Sequence, residues 1–261
     1  MLIVISPAKT LDFEMPHSAW SQPVLSQDRD QLLAVLQQHS SKKIASLMKL
    51  SDRLADLNYQ RYQTWAQQPT QAAIHAFKGD VYKGLKANTW SEEDKQVAQK
   101  HLRVLSGLYG ILKPYDEMKP YRLEMKTALQ TSRGKNLYQF WGQQPTQILM
   151  QDLQQSIANT KDKPLLINLA SQEYFKVLQL KQQNIEVITP IFQDEKNEQY
   201  KVIALYAKYA RGLMASHLIQ QARFTLDSIK EFSAEGYVYD EKASTTNQPV
   251  FKRSQAARMK S

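Results

Sequence analysis

HLRVLSGLYGILKPYDEMKPYRLEMK, residues 101–126, is the stretch around which the rest of the chain is organised. An amphipathic helix that begins after Ser91 is expected to run into it and to end at Gly107. Gly107 and Gly110 allow a tight turn because glycine carries no Cβ. Two interpretations are open: a capped turn within the core, or a helix-hairpin-helix whose backbone NH groups reach phosphate. A second candidate helix pair, with caps at Ser40 or Ser41 and at Ser51, lacks glycine at its joint and ranks below residues 101–126.

Composition limits the classes of protein that this chain can belong to. Its 261 residues are 42% hydrophobic, which is enough for a sizeable core. The 34 basic and 25 acidic residues give a formal net charge of +9, which favours a polyanionic partner such as nucleic acid or a nucleotide. The absence of cysteine excludes disulfides, thiolate catalysis, zinc fingers and iron–sulfur clusters ligated by this chain. The histidines are scattered and no apolar run reaches the roughly 20 residues of a membrane helix. We therefore expect a cytoplasmic protein with no resident metal, no cofactor and no membrane contact, and we favour a monomer.

Two continuous apolar runs, residues 2–5 and 165–169, predict buried strands. Polar residues follow both runs, and in α/β sheets ligands bind beyond the carboxyl ends of the strands. Ser6 and Lys9 follow the first run, where Lys9 either holds an anion or belongs to a plain loop. Glu173 follows the second run and is the best general-base candidate in the chain.

The remaining patterns predict an uneven mixture of helices and strands. Residues 27–38 and 147–157 are amphipathic, 185–192 and 200–206 are expected to pair as strands, and 237–240 pairs with 250–253. Residues 14–27 and 161–163 read as loops. This arrangement is not a regular doubly wound fold. It favours one compact α+β domain, residues 1–254, with a mixed central sheet surrounded by helices, and a basic, mobile tail at 255–261.

Two segments concentrate charge. In residues 77–85, Asp80 lies between Lys78 and Lys83, a pattern more typical of a solvated ion pair than of a catalyst. Residues 201–223 contain four basic residues, Lys208 and Arg211 among them, and no acid. That imbalance favours a surface that faces an anion over an incidental solvated face.

Taken in order, the segments resemble the YaaA family of bacterial peroxide-stress proteins (UPF0246/DUF328). The matching segments are ISPAKTLDF at 5–13, AFKGDVYKGL at 76–85, LSGLYGILKPYDEMKPYRLEM at 105–125, LYQFWG at 137–142, INLAS-x-EYFK at 167–176, DEK at 194–196, ARGLM at 210–214 and EGY at 235–237. The resemblance implies a role in the response to hydrogen peroxide, a lower level of unincorporated iron, a basic cleft with a helix-hairpin-helix element, and binding to double-stranded DNA. It raises the phosphate-contacting hairpin above the capped turn for residues 101–126.

Three hypotheses of function follow. Two are developed here, and the third is that the protein is a non-enzymatic partner of an iron-handling protein. The first is largely sequence-independent binding of double-stranded DNA that limits iron-dependent oxidative damage. Its expected phosphate contacts are Lys78, Lys83, Arg103, Lys113, Arg122, Lys208 and Arg211, together with the backbone of Gly107 and Gly110. The alternative is an enzyme of unassigned chemistry that acts on a nucleotide, a base or another anionic small molecule. Its site would gather Ser6, Lys9, Asp80, Glu124, Glu173 and Arg211.

Overall fold

A computed structural model describes residues 1–14, 17–157 and 164–259 of the chain. The loop expected at 161–163, part of the loop expected at 14–27, and the last two residues of the tail lie outside the described residues. Within these described ranges, no helix is both long enough and apolar enough to cross a membrane.

The described elements are short and numerous. The strands, in chain order, are β1 (Leu2–Ile5), β2 (Thr10–Leu11), β3 (Gln71–Ala72), β4 (Phe77–Lys78), β5 (Leu102–Ser106), β6 (Gly110–Leu112), β7 (Glu117–Met118), β8 (Leu165–Leu169), β9 (Glu186–Ile188), β10 (Ile191–Lys196), β11 (Gln199–Lys201), β12 (Val238–Tyr239) and β13 (Val250–Arg253). The α-helices are α1 (Ser26–Gln37), α2 (Ser41–Met48), α3 (Asp52–Gln63), α4 (Ala73–Ala76), α5 (Asp80–Leu85), α6 (Glu92–His101), α7 (Leu137–Trp141), α8 (Gln144–Ile157), α9 (Gln172–Phe175), α10 (Ala204–Gln221), α11 (Leu226–Lys230) and α12 (Gln255–Arg258).

A five-stranded mixed sheet, in the order β6-β5-β1-β8-β9, forms the centre of the fold. β1 lies between β5 and β8 and is parallel to both, with Ile3 opposite Leu102 on one side and Ile167 on the other. All four residues of β1 are buried, which explains why the strand is a continuous apolar run rather than an alternating one. β6 returns antiparallel to β5. The prediction of one α+β domain with a mixed central sheet is confirmed.

A second sheet, in the order β11-β10-β13-β12, is built from the carboxyl-terminal third of the chain. The predicted pairing of the last two strands is confirmed, since β12 and β13 are antiparallel. Pro190 separates β9 from β10, which belong to different sheets. The strand predicted at 200–206 is wrong beyond Lys201, because α10 begins at Ala204 and packs against α5.

Residues 101–126 do not form the helix-hairpin-helix predicted there. α6 ends at His101, and the next five residues are the buried strand β5, which returns through Gly107 into β6. The apolar spacing before Gly107 matches a helix, but short apolar runs do not separate helix from strand. Pairing with β1 decides in favour of the strand. The second-ranked helix pair is present as α2 and α3, joined by residues 49–51.

Helices α5 and α10 cross in backbone contact. A Cβ added to Gly84 would lie 2.1 Å from the carbonyl oxygen of Tyr209, and a Cβ on Gly212 would lie 1.9 Å from that of Val81. Only glycine permits two helices to approach so closely at these positions. The crossing fixes the position of α10 relative to the first turn of α5, and both helices contribute to the cleft described next.

The predicted domain boundary at residue 254 stays a prediction. Beyond it, α12 caps on Ser254, and its Arg258 donates to the carbonyl oxygen of Glu195 in β10. The described part of the tail therefore packs against the second sheet.

Candidate anion-binding cleft

A cleft of about 560 Å³ opens at the carboxyl ends of β1 and β8, which are parallel neighbours in the central sheet. Residues 6–10 follow β1 and residues 171–174 follow β8, so the two strands deliver their loops to the same edge. The other walls come from residues 78–82, from Glu124 and Lys126, and from Lys208 and Arg211 of α10. The lining contains five basic and three acidic side chains among the described residues.

The two strand-end loops are joined by a pair of serines. The Ser171 N–H donates to Ser6 Oγ at 2.8 Å, and the two hydroxyl oxygens lie 3.3 Å apart. The Tyr82 hydroxyl donates to the Ser6 carbonyl oxygen at 3.1 Å, which ties α5 to the same loop. These contacts hold the floor of the cleft. Ser6 Oγ contacts the N–H and the hydroxyl of Ser171, and no hydrogen bond joins it to a described histidine.

Glu124 lies among three cations. Its Oε1 is 3.1 Å from Lys9 Nζ and 3.0 Å from Arg122 Nη2, and its Oε2 is 3.6 Å from Lys126 Nζ. Burial raises the pKa of the Glu124 carboxyl, but the hydrogen bonds and charges of Lys9 and Arg122 outweigh it and leave the pKa below its ordinary value. Glu124 is therefore ionised at neutral pH and acts as a counter-ion rather than as a proton donor.

Glu173 shares a cation with Glu124. Lys126 Nζ lies 3.7 Å from Glu173 Oε2, and the Lys126 N–H donates to Glu173 Oε1 at 3.3 Å. Lys126 therefore bridges the two carboxylates. The best general-base candidate of the sequence is thus held by the backbone and side chain of a single lysine.

Lysines at the rim of the cleft have carboxylate partners. Lys78 Nζ is 2.9 Å from Asp12 Oδ2, and Lys83 Nζ is 4.0 Å from Asp80 Oδ1. The second contact is the ion pair predicted from the sequence. It joins positions one helical turn apart on α5, which is a common arrangement at helix surfaces.

Lys208 and Arg211 differ from the other cations of the cleft. They lie one turn apart on α10, and neither side chain forms a hydrogen bond or an ion pair with a described residue. Burial lowers the pKa of Arg211, although a guanidinium remains charged at any physiological pH. This pair is therefore where an incoming anion meets positive charge that no described carboxylate neutralises.

Arg103 and Lys113 lie outside this cleft. Arg103 is only 3% exposed, and its Nε donates to Asp152 Oδ2 at 2.7 Å. Lys113 Nζ is 4.0 Å from the other oxygen of Asp152. Both border a separate cavity of about 80 Å³ near Asp116. The structure thus places the charge of Arg103 in the core, already paired with Asp152, and the phosphate contact expected from it stays a prediction.

The turn at Gly107 and Gly110 also lies in the core. The Gly107 carbonyl accepts the Trp141 Nε1–H at 3.0 Å, and a Cβ on Gly107 would lie 2.1 Å from the Leu123 carbonyl oxygen. Gly110 has φ +69° and packs against Leu25 and Trp141. Because this backbone is enclosed, it does not offer the NH groups to phosphate that the sequence suggested. Arg122, the remaining predicted contact, is not among the residues that line the cleft, and its Nη2 lies 3.0 Å from Glu124 Oε1.

All six residues proposed for a small-molecule site line the cleft: Ser6, Lys9, Asp80, Glu124, Glu173 and Arg211. Of the residues proposed for DNA, Lys78, Lys208 and Arg211 line it, and Lys83 stands beside Asp80. Sequence reasoning gave no role here to Tyr82, Tyr174 or Lys126. The alternation of Lys126 with Glu124 and the adjacency of Tyr174 to Glu173 were the available signals.

Two further observations concern the rest of the described chain. A hollow of about 580 Å³ lies beside Trp20, but Glu117 is the one charged residue among those described there. Within the described ranges, no three or more histidine, aspartate or glutamate side chains are grouped so that they could hold a metal ion. The cleft at the ends of β1 and β8 is therefore the candidate site.

Comparison with known proteins gives the family. A family model described as peroxide stress protein YaaA matches residues 1–243. The chain belongs to this family. A UPF0246 protein of Aliivibrio fischeri strain MJ11 is 48% identical over 98% of this chain and 99% of its own length. A UPF0246 protein of Shewanella pealeana is 47% identical over 98% of this chain and 100% of its own length. The resemblance to YaaA seen in the sequence is confirmed, and the cleft residues from Ser6 to Arg211 all lie within the matched range.

Proposed function

We propose that this YaaA-family protein acts in peroxide stress by binding double-stranded DNA, largely without regard to sequence, and so limits iron-dependent damage to DNA. The observation that carries the proposal is the gathering of cations at one cleft, where Lys208 and Arg211 have no described carboxylate partner. The net charge of +9 and the peroxide-stress description of the family support the same proposal.

The lysines at the cleft can exchange their carboxylate partners for phosphate. The side chains of Lys9, Lys78, Lys83 and Lys126 are 61–68% exposed. Exposed ion pairs contribute only about 0–1 kcal/mol, so replacing a carboxylate by a DNA phosphate costs little. The excess of positive charge disfavours binding of free iron cations, which supports a protective effect at DNA rather than at iron.

A salt titration tests this proposal. We expect the affinity for a 20-base-pair duplex, measured by fluorescence anisotropy, to fall with a log–log slope of about −0.9 for each phosphate contacted. Four to six contacts give a slope of about −4 to −5, which is roughly a 10²–10³-fold loss of affinity between 50 and 200 mM salt. An affinity that stays constant over this interval contradicts the proposal.

Matched variants locate the binding surface. Joint replacement of Lys208 and Arg211 by alanine should make the slope less steep by about 2, because two phosphate contacts are lost. Joint replacement of the exposed Lys181 and Lys242, which lie outside the cleft lining, removes the same formal charge and should leave most of the affinity. Equal losses in the two double variants would show that net charge, and not the cleft, attracts DNA.

An enzyme acting on an anionic small molecule is the second candidate function. The observation that favours it is the convergence of Ser6, Asp80 and Glu173 with Lys9, Glu124 and Arg211 in one cleft. The test is incubation of the protein with nucleotides, bases and DNA oligomers, followed by mass spectrometry. A product that forms with the unaltered protein and not with Glu173→Gln supports catalysis, and the absence of any product leaves binding as the function.

A further inference from the structure

The cleft is too small to enclose a duplex. Its volume of about 560 Å³ falls within the roughly 300–1,000 Å³ of sites for small molecules and cofactors. The rim lysines are exposed, whereas Ser6, Tyr82, Tyr174 and Arg211 are only partly exposed. The phosphates of a DNA duplex can therefore contact the rim lysines as well as Lys208 and Arg211, but only a smaller unit, such as an unpaired base, can reach Ser6, Tyr82 and Tyr174.

The distribution of charge in the cleft indicates which chemical group of a ligand binds there. Lys9, Lys78 and Lys126 already face carboxylates, while Lys208 and Arg211 face no described acid. Positions i and i+3 share one face of a helix, so the two cations of α10 present a joint site. A guanidinium beside an ammonium is the arrangement that binds a phosphate group, because the guanidinium offers two parallel N–H donors.

The remaining walls suit a nucleobase. Tyr82 and Tyr174 line the cleft from α5 and α9, and burial raises the pKa of both phenols, so they remain neutral aromatic surfaces at physiological pH. Aromatic side chains stack bases of any kind because each base has a π face. The Glu173 carboxylate contacts only Lys126 among the described residues and retains acceptor lone pairs, and a carboxylate accepts from the exocyclic amino group of a base.

We infer that the cleft binds a single nucleotide unit, with its phosphate on Lys208 and Arg211 and an amino-bearing base against Tyr82 and Tyr174. The nucleotide can come from duplex DNA or from solution. If it comes from duplex DNA, the inference rests on the proposed function. A nucleotide extruded from duplex DNA and a free nucleotide present the same phosphate and the same base. Extrusion is how proteins reach single bases in a duplex, and it would explain how rim lysines and a narrow cleft serve one ligand.

The direct test is calorimetric titration with deoxyadenosine monophosphate, deoxyadenosine and thymidine monophosphate. We expect deoxyadenosine monophosphate to bind more tightly than either of the others, since these lack the phosphate or the amino group. Arg211→Ala should weaken its binding at least tenfold, and Arg211→Lys should restore part of that loss. Lys208→Ala, which alters an exposed residue, should weaken binding without affecting the fold, and Lys181→Ala is the matched control. Tyr174→Phe should retain affinity, whereas Tyr174→Leu should lose it.

A duplex carrying 2-aminopurine distinguishes the two sources, because its fluorescence rises when the base leaves the stack. A rise with the unaltered protein that is absent with Tyr174→Leu supports extrusion. Nucleotide binding without a rise supports the free nucleotide as the ligand. Duplex binding with neither nucleotide binding nor a rise overturns the inference and leaves the proposed function standing. Nucleotide binding without any duplex binding supports the inference and overturns the proposed function.

Discussion

Replacing Gly212 by alanine is expected to destabilise the protein and to weaken its cleft. The added Cβ would lie 1.9 Å from the Val81 carbonyl oxygen and 2.7 Å from the Leu85 nitrogen, whereas ordinary contacts begin at 3.4 Å. The difference between 3.4 and 1.9 Å requires α10 and α5 to separate by about 1.5 Å. Since both neighbours are backbone atoms, no side-chain rotation relieves the contact.

The magnitude follows from two opposing effects. Overpacking typically costs about 1–3 kcal/mol, and the upper value applies here because backbone must move. Alanine regains about 1 kcal/mol over glycine within a helix. The net loss in the free energy of unfolding is therefore about 2 kcal/mol, which for a chain of this size lowers Tm by roughly 4–8 °C.

Urea and thermal unfolding followed by circular dichroism measure this effect. Gln220→Ala, at an exposed position of the same helix, is the matched control and should change stability by less than about 0.5 kcal/mol. Because α10 carries Lys208 and Arg211, the Gly212 variant should also bind anions more weakly at temperatures where it is fully folded. An unchanged or raised Tm would refute the reasoning, since it would mean that the two backbones are not in contact.

Three further variants test other parts of the structure. Asp194→Ala leaves the buried Arg253 without the carboxylate at 2.7 Å, and urea titration should show a loss of about 3–5 kcal/mol; a loss under 1 kcal/mol would contradict the buried pair. Burial lowers the pKa of His101 to about 4, so between pH 6.5 and 4 only the unfolded chain gains this proton and stability falls as pH falls. His101→Gln should therefore reduce the slope of unfolding free energy against pH by about 1 kcal/mol per unit in that interval, and an unchanged slope would exclude a buried neutral imidazole. Glu124→Gln removes the carboxylate that competes with phosphate for Lys9, so the affinity for duplex DNA at low salt should rise, by about 1 kcal/mol at most; a weaker affinity at low salt would show that Glu124 contributes to binding itself.

The ends of the two central strands could be located from the sequence, because a strand that is buried on both faces is a continuous apolar run. The runs at 2–5 and 165–169 contain no polar residue except Asn168, and both are central strands. Once two such strands are parallel, the residues that follow them share an edge. This is why Ser6, Lys9 and Glu173 were expected at a site from their positions alone.

The secondary structure of residues 101–126 and the role of Arg103 could not be derived in the same way. Whether Leu102–Ser106 is helix or strand depends on β1, which lies 99 positions earlier in the chain, as the pairing of Ile3 with Leu102 shows. The role of Arg103 depends on Asp152 in α8. Partners at such distances leave no local pattern, so a buried, paired arginine and a phosphate-binding arginine look alike in sequence.

The sequence predicted only part of what α10 contributes to the cleft. The acid-free composition around Lys208 and Arg211 marked an anion-facing segment, but the strand expected at 200–206 put its first residues in the wrong element. The position of α10 is set by contact of Gly84 and Gly212 with the opposite backbones. Glycines within helices usually signal ends or turns, so their use as a crossing point is not apparent before the two helices are seen together.

The central position of β1 has a consequence for how the protein is made. β1 leaves the ribosome long before β8, since its partner Leu166 is synthesised 164 positions after Leu2. At about 5–20 residues per second, the strand waits roughly 10–30 s with an apolar, unpaired edge. A nascent chain in this state is a natural client for chaperones, and translation that stops before β8 leaves a product that cannot complete its main sheet.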